Sequence, residues 1–364
     1  MNVRASCPSL TSTLALAALL FTLPAAAGTL LVANKSEATL SLVDLASGEV
    51  AATLPTGAGP HEVAVSPDGR TAVVANYHFA GTPGHTLTVV DVPAAAVVRT
   101  VDLGDLTRPH GIVYLDGRRV AVTCEGSGVL AVVDVVSGVV ETTIATGQQV
   151  SHMVAVPDDG ARAYVANIAS GSLTVLDLAK GEKVADVATG EGAEGVAVTP
   201  DGRWVWVSNR AADTVSLIDA RTLAKVADLP SASFPIRAEV TPDGRWVLVT
   251  NAESGTLTVI DAAERKVART VDLGQGAGDL EGKLFGEQFG DSSAPIGIEI
   301  ARDGKTAWIA HANADVVQVI DLATWKPAGV LRAGKEPDGM AYSPLTVAGG
   351  GAGGGGKGES GGGR

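Results

Sequence analysis

Short apolar runs of five to seven residues, broken by polar turns, recur along most of this chain. Within a run, Val, Leu and Ile alternate with small or hydroxyl-bearing residues, as in TLSLVD ending at Asp44 and TLTVID ending at Asp261. A period of two with β-branched enrichment predicts strands rather than helices. The strand phrase ending in Asp occurs seven times, at Asp44, Asp91, Asp134, Asp177, Asp219, Asp261 and Asp321, with spacings of 47, 43, 43, 42, 42 and 60 residues. Another strand ends ten residues before most of these, at Asn34, Cys124, Asn167, Asn209, Asn251 and His311, while Asn76 stands fifteen before Asp91. A further run follows each Asp (EVAATL, KVADVA, KVARTV), and HEVAVSPDG or EGVAVTPDG then opens the next unit. Four short strands recurring about every 42 residues predict the blades of an all-β propeller.

The turns agree. Pro-Asp-Gly after the opening strand (Pro67-Asp68-Gly69, Pro200-Asp201-Gly202, Pro242-Asp243-Gly244) is a tight-turn signal, and the Asp44-type residues can close an Asx-turn. Both sets of aspartate are therefore read as structural. The unit count also closes. TLLVAN from Thr29 is a second-type strand and DGMAYSP at 338–344 a first-type strand, so strands from both termini complete one blade. Residues 28–346 then make seven four-stranded blades with no edge left open around the ring.

The phrases AYVAN (163–167), VLVTN (247–251), LTVID and VTPDGRWV resemble the YVTN β-propeller repeat of YncE-like proteins. With no Trp-Asp signature, the chain does not resemble a WD40 propeller. The resemblance implies an exported bacterial protein, secreted or periplasmic. Related propellers include lactonases and domains of larger redox enzymes, but such activities do not follow from the repeat.

Composition narrows the rest. The chain is 46% hydrophobic and 18% charged, as expected of a core-rich globular protein. Its net charge of −13, with no Lys/Arg cluster, argues against a nucleic-acid partner. Residues 1–27 carry Arg4, an apolar stretch from Leu14 to Leu23 and Ala25-Ala26-Ala27, which reads as a cleaved signal peptide with no membrane span after it. Beyond it only Cys124 remains, so no internal disulfide forms. Residues 347–364 are Gly-rich and expected to be a disordered tail. A monomer is expected.

Function in a repeat protein is sought where the copies differ. Strand direction puts the loop before the first strand and the loop after the second on one face, the top. Two insertions lengthen top loops: 77–86, with His78 and His85, and 272–295, with Phe285 and Phe289. The two phenylalanines either cap a top pocket or form a small core of their own. The position just before each first strand holds, around the ring, His61, His110, His152, Glu194, Ile236, Ile296 and Asp338. Innermost strands would bring these to the channel mouth. His61, His110 and His152, with Glu194 or Asp338, are suitable ligands for a divalent transition metal. The alternative is that P-H-G is an ordinary form of this position, each His bonding a carbonyl of the next blade. Inside the mouth, Glu62, Arg237, Glu239 and Glu299 would charge the channel, with Glu62 or Glu239 as candidate bases. His311 and Cys124, in slots otherwise held by Asn, are further candidate ligand contacts, Cys124 being alternatively a small buried residue. The reading is an envelope binding or scaffold protein for a small ligand, a metal ion or a protein partner. A metal-assisted hydrolase acting on a lactone is the alternative. A partner in a periplasmic oxidation system rests on the resemblance alone.

Overall fold

The computed structural model describes residues 27–79 and 81–348; the expected signal peptide and Gly-rich tail lie almost wholly outside them. Among the described residues, twenty-eight strands form seven four-stranded antiparallel sheets. The innermost strands are β4 (Pro60–Val65), β8 (Pro109–Tyr114), β12 (Ser151–Ala155), β16 (Ala193–Val198), β20 (Pro235–Val240), β24 (Pro295–Ile300) and β28 (Pro337–Ser343). Each touches the next in that order, and β28 touches β4, so the ring closes. In the closing blade β28 pairs with β1 (Thr29–Asn34), Thr29 opposite Ser343 and Val32 opposite Met340. The seven-bladed propeller expected from the repeat, with both termini in one blade, is therefore present.

Burial explains the run composition. The two middle strands of a blade are covered on both faces by neighbouring blades, so β1 is buried throughout, whereas the outermost strand Glu49–Pro55 has exposed and half-buried positions only. The core consists of layers between blades. Leu31, Leu40 and Leu42 of one sheet meet Val63, Val74 and Val90 of the next. Each such leucine contributes about 2 kcal/mol through burial. The recurrent aspartates shape turns: Asp44 Oδ1 accepts the Ser47 amide at 2.8 Å, and Asp68 Oδ1 accepts the Ser66 hydroxyl at 2.6 Å. The recurrent asparagines stitch strand to strand, Asn34 Nδ2 donating to Thr39 and Ser41 at 2.9 Å.

One irregularity positions the site. In every blade the pairing of the innermost strand with its neighbour slips by one residue just after the strand begins; Pro60 faces Asn76, but Val63 faces Val74. This bulge falls on His61, His110, His152, Glu194, Ile236, Ile296 and Asp338, and bulges re-aim side chains. In four blades the next residue is glycine because the neighbouring blade comes close. A Cβ on Gly297 would lie 1.9 Å from the Asp338 carbonyl oxygen, and one on Gly339 2.2 Å from that of His61. In the other three the next residue is Glu62, Met153 or Arg237, and all three side chains line the channel.

Candidate functional site at the channel mouth

The seven bulge residues are all buried, and they divide the mouth into two halves. Ile236 and Ile296 form an apolar half covered by the 272–295 insertion. Phe289, in the short helix Gly286–Phe289, packs with both isoleucines, with Phe234 at 5.0 Å between ring centroids and Phe285 stacked at 5.8 Å. The phenylalanines thus cover this half and share a small core, combining the two expectations.

The other half is polar, and there the three ring histidines converge. His110 lies between the other two, its ring centroid 3.9 Å from His61 and 3.5 Å from His152. The Nε2 atoms of His61 and His110 are 3.1 Å apart. Tyr77 meets both rings edge-on at 5.3 and 5.2 Å.

The environments of the three imidazoles differ. His152 has both nitrogens occupied: Nδ1 lies 2.9 Å from Glu125 and Nε2 3.3 Å from Glu194. Burial works against its charged form, but hydrogen bonds to the two carboxylates outweigh it and the pKa is raised. His61 and His110 are held well below the usual imidazole range, first by burial. For His110 the charge of His152 adds to this; for His61 Asp338 opposes it, and Lys35 and Arg237 add to it. These two rings are neutral at pH 7, and the Nδ1 atom of each is buried with no hydrogen-bond partner among the described residues. Nearest to His61 Nδ1 are Asp338 at 3.4 Å and Glu62 at 3.6 Å. One ligand atom each of His61, Glu62 and His110 lies within 4.8 Å of the others.

Arg237 ties the ring together from inside. It donates to Glu62 through Nη2 at 2.6 Å and Nε at 3.1 Å, and to Glu194 at 3.2 Å, with Asp338 at 3.9 Å. Burial tends to raise the Glu194 pKa. The hydrogen bond and charge of His152, with Arg210 and Arg237, overcome it and bring it to about 2.

Glu239 and Glu299 lie along the channel with Glu62 and Arg237, lining a cavity of about 370 Å³. They accept the amides of Ile300 at 3.3 Å and Tyr342 at 3.0 Å. Burial raises both, Glu299 to about 7, and the charge of Glu299 pushes Glu239 further.

The remaining candidates lie apart from the ring histidines. His85 is exposed and pairs with Asp102 at 3.0 Å, and His78 faces the Thr82 carbonyl at 3.3 Å. His311 bonds Ser293 at 2.7 Å and is lowered to about 4 by burial. Cys124 packs among Val122, Ala131 and Leu103 in an interblade layer, where burial pushes its thiol up to about 12.

Lys35, Tyr77, Glu125 and Arg210 escaped the sequence reading as site residues although they also occupy one repeat slot. Lys35, Glu125 and Arg210 directly follow a second-strand end, at Asn34, Cys124 and Asn209, and Tyr77 follows the equivalent Asn76 inside the longer strand Thr71–Phe79. Each amide is fixed by a carbonyl ahead of the adjoining innermost strand, as Tyr77 is by Gly59 at 3.0 Å and Arg210 by Gly192 at 2.9 Å. This second ring encloses the first, and the variation among its seven residues was the available signal.

Fold and repeat define a class, the seven-bladed repeat propellers, and the comparisons give the family. A model of the YNCE-like β-propeller matches residues 9–120 and 120–282, and the chain belongs to that family. No curated protein matches the chain. Among solved structures, hydrazine synthase of Kuenenia stuttgartiensis is similar with a TM-score of 0.61 and 24% identity, over 72% of this chain and 77% of that one. A functionally unknown protein from Desulfotomaculum acetoxidans DSM 771 is similar with a TM-score of 0.71 and 13% identity, over 87% of this chain and 99% of that one. At such identities the likeness is one of fold.

Proposed function

We propose that the protein is an exported binding protein that takes one divalent late transition-metal ion at the channel mouth, with His61, His110 and Glu62 as ligands and Asp338 beside them. The observation that carries this is the pair of buried, neutral imidazoles from adjacent blades, their Nε2 atoms 3.1 Å apart, with a Glu62 oxygen close enough to share one ion. Neutral imidazole is the form that ligates a metal. His152 supports the site rather than joining it, because Glu125 and Glu194 already hold both its nitrogens. Mixed nitrogen and carboxylate donors suit zinc, copper or nickel better than calcium or magnesium. Binding is favoured over hydrolysis because Glu62, the nearest candidate base, would be a ligand through one oxygen while Arg237 holds its Oε1, leaving it no role as a base. Calorimetric titration of the untagged, metal-stripped protein with Zn(II) and Cu(II) tests this. One equivalent should bind, and the His61→Ala/His110→Ala variant should bind none at that site. Absence of binding in the parent protein, or unchanged binding in the variant, refutes it.

A further inference from the structure

Resting on that metal reading, we infer that Lys35 is a displaceable internal cation that fills the metal position until an ion expels it. Lys35 follows β1 at the top of the closing blade, and its side chain is 13% exposed. Its ammonium donates to His61 Nε2 at 2.8 Å and to Asp338 Oδ2 at 3.2 Å. The same His61 Nε2 faces His110 Nε2. The Lys35 ammonium thus uses the His61 lone pair that a bound ion would need and the Asp338 carboxylate beside it. An ammonium and a divalent ion cannot share them, because both are cations drawing on one lone pair.

The second half of the device is a vacant acceptor on the other side of Lys35. Glu336 is 1% exposed, and its Oε2 has no hydrogen-bond partner among the described residues. The Lys35 amide donates to the Glu336 carbonyl at 3.2 Å, so the two residues are backbone neighbours across the blade. Oε1 of Glu336 is held by the Leu284 amide of the 272–295 insertion, which fixes the carboxylate in place. The Phe285 ring lies 5.2 Å from the Lys35 ammonium, a cation–π surface along which the side chain can swing. Lys35 therefore has two partners, His61 with Asp338 and the unfilled Glu336, with an aromatic wall beside it. Metal entry moves it from the first to the second. This makes the site selective. An ion must bind imidazole strongly enough to displace a lysine, which late first-row ions do and oxygen-preferring ions such as Mn(II) do less well.

The test is Zn(II) and Mn(II) titration of the full chain and of Lys35→Met, with Glu336→Gln as the complementary variant and thermal melts to verify folding. Lys35→Met should bind Zn(II) at least tenfold more tightly and gain measurable Mn(II) binding. Glu336→Gln keeps the acceptor for Leu284 but loses the anionic resting place, and should bind Zn(II) at least threefold more weakly. Equal Zn(II) affinity in the parent and Lys35→Met overturns the inference while leaving the metal site standing. Absence of binding in both overturns the metal reading and the inference with it.

Discussion

Replacing Arg237 by Met removes a side chain that bridges the Glu62 and Glu194 carboxylates of different blades. Its guanidinium is 5% exposed and bonds Glu62 and Glu194. Breaking a buried pair by deleting one partner costs about 3–5 kcal/mol, because a charge is left buried without compensation. Glu194 keeps Arg210 at 2.6 Å and His152, so most of the penalty falls on Glu62, whose remaining partner is His61 at 3.6 Å. With an unfolding entropy of about 2.1 cal/mol/K per residue, a propeller of roughly 320 residues should lose about 4–7 °C in Tm. The loss should also depend on pH. The Glu194 pKa near 2 lies below its ordinary 4.5, so the stability it contributes is complete above 4.5 and disappears as pH falls toward 2. That shift is worth about 3 kcal/mol in the parent protein. Arg237 is one cause of it, so the variant should lose less on acidification. Scanning calorimetry at pH 7, 5, 4 and 3 reads both effects. A variant melting within 1 °C of the parent at pH 7, with the same slope below pH 5, would show that the Arg237 network does not hold the ring together.

Glu125→Gln keeps a neutral acceptor for His152 but removes one of its two carboxylates, and should lower the His152 pKa in an NMR titration; an unchanged value would mean Glu194 alone sets it. Gly297→Ala drives a methyl group into the Asp338 carbonyl of the next blade, and should cost about 1–3 kcal/mol in chemical unfolding, with no effect meaning that the blades can separate there. Cys124 should resist Ellman's reagent until the protein unfolds, since its thiol is fully buried and its pKa raised; rapid labelling of the native protein would contradict the packing.

The fold was legible because each local signal repeats. The Asp at strand ends, the Pro-Asp-Gly turns and the near-42-residue period each predict the same blade, and the leftover strand Pro337–Ser343 completes the first blade by pairing with the free side of Thr29–Asn34. The polar ring was legible for the same reason, as one slot read seven times. Its inequality was not. Nothing in the sequence of P-H-G or S-H-M tells that His152 lies between two carboxylates while the Nδ1 atoms of His61 and His110 have no hydrogen-bond partner among the described residues. That difference depends on side chains reaching across blades far apart in sequence: Glu62 and Arg237 are 175 residues apart, and Lys35 and Asp338 303. Cys124 was ambiguous because replacing a polar Asn in a strand-end slot reads equally as chemistry or as packing, and burial, which the sequence does not display, separates the two.

The most direct measurement is anomalous diffraction at the zinc edge from a crystal soaked in Zn(II). Lys35 turned toward Glu336 is the added expectation of the displacement; the metal reading itself predicts one strong peak at the channel mouth, within about 2.1 Å of a nitrogen of both His61 and His110. A peak only at the exposed His85, or none at the mouth with Lys35 still against His61, would contradict it.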